Sequence, residues 1–149
     1  MIRKIDIRNS KNAEAVLKIQ LPAYKVEAEI IGSYEIPALK DTIYTLQHCG
    51  ETFFGYYVNE ELSGVISLKA DDEYVDIHRL IVHPNHFRKG IAQLLLNFIE
   101  SKFTVETIKV ATGSKNIPAV SLYEKNGFRN MKEVIINEKL SLTFFEKKR

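Results

Sequence analysis

Apolar and polar residues change period along this chain, and each change marks an element. From Ile2 to Ile7 the residues alternate, with Ile2, Lys4 and Asp6 on one face and Arg3, Ile5 and Ile7 on the other. That pattern predicts an edge strand. Asn9-Ser10-Lys11-Asn12 supplies turn and N-cap chemistry. Val16, Ile19, Ala23, Val26 and Ile30 then follow at helical spacing, interrupted by Pro22. The proline predicts either a kink or a second helix that carries it in its first turn, and Gly32 stops the run. A further helix is expected over 37–47, with Leu39, Ile43 and Leu46 on one face and Gly50 at its end.

The period then drops towards two. Residues 52–58 and 62–68 read as a hairpin joined by Asn59-Glu60-Glu61, and Ala70-Asp71-Asp72 makes another turn. A third strand spans 73–82. Strict alternation puts Val75, Ile77 and Ile81 on one face, and Tyr74, Asp76, His78, Leu80 and Val82 on the other. A helix is expected over 88–103 with Ile91, Leu94, Leu95, Phe98 and Ile99 as its buried stripe. The apolar strand at 107–112 closes a strand–helix–strand unit, which implies a parallel, right-handed crossover. A helix over 116–126 has Pro118 in its first turn and ends on Asn126-Gly127-Phe128, a left-handed stop with a trailing hydrophobe. Two strands, 129–136 and 139–145, finish the chain. The order β-α-α-β-β-β-α-β-α-β-β is an α/β (α+β) fold with a mixed, mainly antiparallel central sheet covered by helices.

The 149 residues are expected to form one domain, 1–149, with enough chain for a substantial core. Lys and Arg number 21 against 19 Asp and Glu, and a net charge of +2 gives no ground for a nucleic-acid partner. The basic end, Glu146-Lys147-Lys148-Arg149, reads as a solvated terminus. Cys49 is the only cysteine, so no internal disulfide forms. With no signal-peptide pattern and no long apolar run, this implies a cytoplasmic protein without a membrane partner. The four histidines and one cysteine show no metal-ligand spacing, so no metal is expected.

Candidate chemistry concentrates where the third strand meets the following helix. His83-Pro84-Asn85-His86-Phe87-Arg88-Lys89-Gly90-Ile91-Ala92 places two adjacent cations and a glycine at a helix start. A helix N-terminus offers unpaired N–H groups and partial positive charge, and Gly90 permits close backbone approach. The turn is therefore a candidate pyrophosphate cradle. A nucleotide reading of Gly90 is weak, because no GK[ST] phosphate-loop signature is present.

Phe87-Arg88-Lys89-Gly90-Ile91-Ala92 is similar to the [QR]-x-x-G-x-[GA] acyl-CoA loop of the GNAT acetyltransferase superfamily, with Phe87 where Gln or Arg is usual. Asn116-Ile117-Pro118-Ala119-Val120-Ser121-Leu122-Tyr123-Glu124-Lys125-Asn126-Gly127-Phe128 closely resembles the family's N-x-x-A-x-x-L-Y-x-k-x-G-F helix, and Asp76 falls where many members carry an acid. The chain is thus identified as a GNAT member; the resemblance covers nearly its whole length, and these segments carry it.

The resemblance implies an acetyl-CoA-dependent N-acetyltransferase, in which an amine attacks acetyl-CoA directly in a ternary complex. The amides of Arg88, Lys89, Gly90, Ile91 and Ala92 would hold the pyrophosphate. The backbone of Leu80, Ile81 and Val82 would pair with the pantetheine arm as an added strand, with Asn116 and Ala119 on the same arm. Asn116 equally suits a helix N-cap. Tyr123 would face the thioester sulfur and stabilise or protonate the departing CoA thiolate. Asp76 and His78 are alternative bases for the amine, His78 having the better-suited intrinsic titration. Phe53, Phe54, Tyr56 and Tyr57 would give one face to the core and one to an acceptor pocket, while Tyr24, Glu27, Glu29 and Tyr34 lie where the family roofs that pocket. Solvated helix positions are the plainer reading of those last four. The C-terminal strands allow a homodimer. A non-catalytic acyl-CoA-binding or regulatory domain on the same fold is the alternative.

Overall fold

The period-two segments pair into one seven-stranded sheet. A computed structural model describes residues 1–149. The chain runs β1 (Ile2–Ile5), α1 (Ser10–Ile31), a 3-10 turn at Pro37–Lys40, α2 (Ile43–Gln47), β2 (Thr52–Val58), β3 (Glu61–Ala70), β4 (Tyr74–Val82) and a second 3-10 turn at Pro84–His86. It continues through α3 (Ile91–Lys102), β5 (Thr107–Gly113), α4 (Ile117–Lys125), β6 (Arg129–Ile135) and β7 (Ser141–Lys148). The strand order is β1-β2-β3-β4-β5-β7-β6, with β4 and β5 the parallel neighbours and all other pairs antiparallel. The expected element order and sheet type are those observed.

Each face of the sheet carries its own core. On one, Phe54, Ile66, Leu68, Val75 and Ile77 pack with Ile91, Leu95, Leu96 and Ile99 of α3, and with Tyr123, Phe128 and Phe145. On the other, Phe53, Val65 and Ile81 pack with Ala13, Val16 and Ile19 of α1 and with Leu46 of α2. Phe53 and Phe54 therefore both serve the core, one on each face of β2, while Tyr56 and Tyr57 are half-buried. Tyr56 packs against the first core, and Tyr57 lies under the Arg3 guanidinium.

Several local expectations are corrected. Helix α1 runs through Pro22 as one element, so no second helix starts there. The proline removes one N–H, but packing on both sides of it, by Ile19 and Gln20 before and Ala28 and Ile31 after, holds the two halves together. Beyond the proline the buried stripe is Ala28 and Ile31, and Ile30 is exposed. The expected 37–47 helix divides at Asp41 and Thr42, because Asp41 is drawn to Gln20 and Arg79 while Thr42 starts α2 with a reciprocal Thr42–Thr45 cap. Helix α3 begins only at Ile91, since Arg88 and Gly90 both have positive φ (63° and 75°). Along α3, Leu96 takes the buried place expected of Leu94. The C-terminal charges are engaged rather than solvated: Lys147 Nζ donates to Glu100 at 2.6 Å, and the Arg149 guanidinium donates to the carbonyls of Glu100 and Phe103 at the end of α3. Strand β6 is an edge with every residue exposed.

Candidate active site

The site begins where two parallel strands separate. Strands β4 and β5 pair from Tyr74↔Thr107 to Ile77↔Val110 and no further, although β4 continues to Val82 and β5 to Gly113. Beyond that point β5 keeps only β7 as partner, and β4 only β3. The edges of Leu80, Ile81 and Val82 that face β5 are thus left without a strand partner.

A β-bulge sits at the same place. Leu68 pairs with Ile77 and Ser67 with Arg79, so His78 is the extra residue. A bulge shifts the alternation by one. Val75 and Ile77 join Leu80 and Val82 on the α3 side, whereas Ile81 goes to the α1 side. The face assignment from strict alternation is therefore wrong: Asp76 and His78 do not share a face with Leu80. They lie on the α1 side, with Glu51 and Arg79.

That side carries a polar cluster the sequence analysis missed. Gln20, fully buried on α1, donates to Ala38 O at 2.9 Å and Asp41 Oδ2 at 2.7 Å, and accepts from Arg79 Nη1 at 3.0 Å. Arg79 also pairs with Asp41 and Glu51, each at 3.2 Å. Glu51 accepts from Ser67 Oγ at 2.6 Å. His78 lies between carboxylates, Nδ1 at 3.6 Å from Glu51 Oε2 and Nε2 at 3.5 Å from Asp76 Oδ2. The only signals were a glutamine within the apolar stripe of a helix and an arginine amid a strand.

On the opposite side of the opening, α4 positions Tyr123. Its carbonyl accepts from Phe128 N, and Gly127 N reaches Glu124 O, the paired bonds that close a helix on a left-handed glycine. The Tyr123 ring is buried against Phe128 and Phe145, with centroids 5.5 and 5.8 Å away. Burial, then the nearby Glu27, raise its phenol well above the ordinary tyrosine value, so at neutral pH it is an O–H donor. Tyr24 of α1 is raised in the same way, first by burial and then by Glu27.

Asn116 is the N-cap of α4, its Oδ1 accepting from Ala119 N at 3.4 Å. Its Nδ2 donates to Glu27 Oε1 at 2.6 Å, and Thr112 Oγ1 reaches the same oxygen at 3.4 Å. The side-chain bonds of Asn116 are thus to the protein itself, and Glu27 ties α1 to β5 and α4. Glu29 and Tyr34 are exposed, in keeping with the solvated reading. Burial raises the Glu27 carboxyl above its usual value, with the Asn116 and Thr112 bonds opposing. An acid raised on folding holds more protons folded than unfolded, so its contribution to stability falls as pH rises from the unfolded carboxylate value through the folded one. Relative to Glu27→Gln, the unmodified chain should lose stability progressively as pH rises above the ordinary carboxylate value of about 4. Thermal unfolding of both proteins as pH is raised checks the sign, and a constant difference would contradict it.

The loop before α3 leaves the amides of its last residues without backbone partners. Gly90 is the N-cap of α3, makes no side-chain cap bond, and a Cβ placed there would meet nothing within 4 Å. The N–H groups of Arg88, Lys89 and Gly90 are absent from the loop's backbone hydrogen bonds, and those of Ile91 and Ala92 precede any intrahelical partner. Five consecutive amides thus lack a backbone partner, beside two cations and with open space at Gly90. His83 and His86 flank this turn, with Lys89 Nζ 3.3 Å from His86 Nδ1. Burial raises the Cys49 thiol, which argues against a nucleophile. No three His, Cys, Asp or Glu side chains are grouped to hold a metal ion, and no helix is long and apolar enough to cross a membrane.

Known proteins resemble this chain in sequence and in fold. The chain is 42% identical over 146 residues to the UPF0157 protein YqkA of Bacillus subtilis, a match covering 97% of this chain and 43% of that one. It spans about half the length of the curated relatives it matches. Among solved structures, the ribosomal-protein-S18-alanine N-acetyltransferase of Escherichia coli superimposes with a TM-score of 0.78 at 15% identity, covering 99% of this chain and 92% of that one. The PaiA N-acetyltransferase of Thermoplasma acidophilum, solved in complex with coenzyme A, gives 0.71 at 23% identity, covering 100% and 98%. Those two likenesses concern the fold. The sequence profile of the Acetyltransferase (GNAT) family matches residues 13–128, and the chain belongs to that family.

Proposed function

We propose that this chain is an N-acetyltransferase that moves an acetyl group from acetyl-CoA to the primary amine of an acceptor, by direct attack in a ternary complex. The observation that carries this is the parting of β4 and β5 beyond Ile77 and Val110, with proton acceptors on one side and a buried phenol on the other. The uncapped amides from Arg88 to Ala92 suit a pyrophosphate, and the unpartnered edge of Leu80 to Val82 suits the amide groups of pantetheine. The solved relative in complex with coenzyme A supports the same ligand.

The residues divide the chemistry as follows. A primary amine near pKa 10 is almost wholly protonated at neutral pH, and freeing its lone pair costs about 4 kcal/mol. His78 or Asp76, on the α1 side, takes that proton. The amine nitrogen then bonds to the thioester carbonyl carbon, and the C–S bond breaks with its electron pair leaving on sulfur. The second N–H proton, shed as the amide forms, passes to the released thiolate or to water. Tyr123 donates a hydrogen bond to the developing thiolate. Because its phenol is raised, full proton transfer to sulfur is unfavourable, and stabilisation of charge is its larger contribution. No activated nucleophile is present for a covalent enzyme intermediate. The test is amine-dependent thiol release from acetyl-CoA. Initial-rate lines should intersect when both substrates are varied, and parallel lines would overturn the ternary-complex order.

A further inference from the structure

Glu51 stands at the entry to β2, outside the cradle, the α4 motif and the β4 acid. Its side chain is only 7% exposed. Oε1 accepts from Ser67 Oγ at 2.6 Å and Arg79 Nε at 3.2 Å. Oε2, which Arg79 Nη2 also approaches at 3.5 Å, faces His78 Nδ1 at 3.6 Å. Arg79 is itself pinned by Asp41 and Gln20. Asp76, at the other ring nitrogen, is 44% exposed and makes no comparable bonds. The two carboxylates flanking His78 are therefore unequal: one is fixed by the core, and the other is open to solvent.

We propose that Glu51 is a positioning residue for His78. Its fixed carboxylate, 3.6 Å from Nδ1, draws the ring proton to that nitrogen, which sets the tautomer and leaves the Nε2 lone pair on the side of the solvent-exposed Asp76. This rests on the reading of His78 as the base. In the step itself, Nε2 takes H⁺ from the acceptor ammonium, and the N–H bonding pair remains on the amine nitrogen. The imidazolium then directs one N–H at Glu51 and the other at Asp76, and Asp76 passes the proton on to water. The bulge completes the arrangement, because without the extra residue Arg79 would alternate to the face opposite His78 and Glu51. Glu51 carries its charge without drifting towards the amine, since Ser67 and Arg79 occupy its first oxygen.

Long-range ¹H–¹⁵N spectra of the full chain at about pH 8.5, roughly two units above the ordinary imidazole value, read the tautomer directly. The His78 signals are assigned by their loss in His78→Gln. The expected result is protonated Nδ1 and bare Nε2 in the unmodified chain. That preference should be lost in Glu51→Met and kept in Asp76→Asn. A proton on Nε2 in the unmodified chain, or an unchanged tautomer in Glu51→Met, overturns the proposal. Should Glu51→Met fail to fold, the spectrum of the unmodified chain decides alone. The readout requires no acetyl transfer, so it fails independently of the proposed activity.

Discussion

Replacing Tyr123 with Phe should lower kcat by roughly 10²- to 10³-fold, the usual effect of losing one donor aimed at developing negative charge. The ring contacts survive the change: Phe128 and Phe145 meet the aromatic face, which phenylalanine retains. Stability should therefore move little. Acetyl-CoA binding should also persist, because the pyrophosphate amides and the strand edge lie elsewhere. A ligand at a hundred times its Kd stabilises by about 2.7 kcal/mol, and Tyr123→Phe should show the same ligand-induced Tm shift as the unmodified chain. Full binding with unchanged turnover would instead place Tyr123 in the core alone. A domain that only binds acyl-CoA would show no turnover to lose.

The second large effect concerns stability. Arg79→Met should cost about 3–5 kcal/mol, the penalty for breaking a buried ion pair and leaving its partners uncompensated. The guanidinium satisfies Glu51, Asp41 and Gln20 together, and its side chain is 11% exposed. Methionine of similar length fills the space but removes the cation shared by two carboxylates, Asp41 and Glu51. Against a total of about 5–15 kcal/mol, the loss should lower Tm by roughly ten degrees. Lys18→Met provides the comparison. Lys18 pairs with Glu14 in solvent one helical turn away, and its loss should cost less than about 1 kcal/mol. Similar melting of the two variants would mean that the Arg79 network is not a buried one in energetic terms.

What could be read from the sequence was local. Asn116, Gly127 and Phe128 announce a capped helix with a left-handed stop because the bonds that make it span only a few residues. Gly90 and the cations before it mark the start of α3 for the same reason. The alternation of β2 and β3 gave the hairpin, and the apolar strand after α3 gave the parallel crossover. The bulge at His78 was not legible, because it exists only in the register of β3 against β4. That one residue reversed the faces assigned to Leu80, Ile81 and Val82 relative to Asp76 and His78. The Gln20, Asp41, Glu51 and Arg79 cluster joins four segments distant in sequence, and no single stretch signals it. Pro22 misleads in the opposite direction: its local cost is real, yet packing on either side of it decides the helix.

The central claim is tested most directly by following the acetyl group. Isotope-labelled acetyl-CoA is incubated with the chain and a set of primary amines, the released thiol is counted, and the amine products are weighed. The account predicts one thiol released for each N-acetylated amine, with transfer sharply reduced in Tyr123→Phe. Thiol release without label on any amine, or transfer that survives intact in Tyr123→Phe, would contradict it.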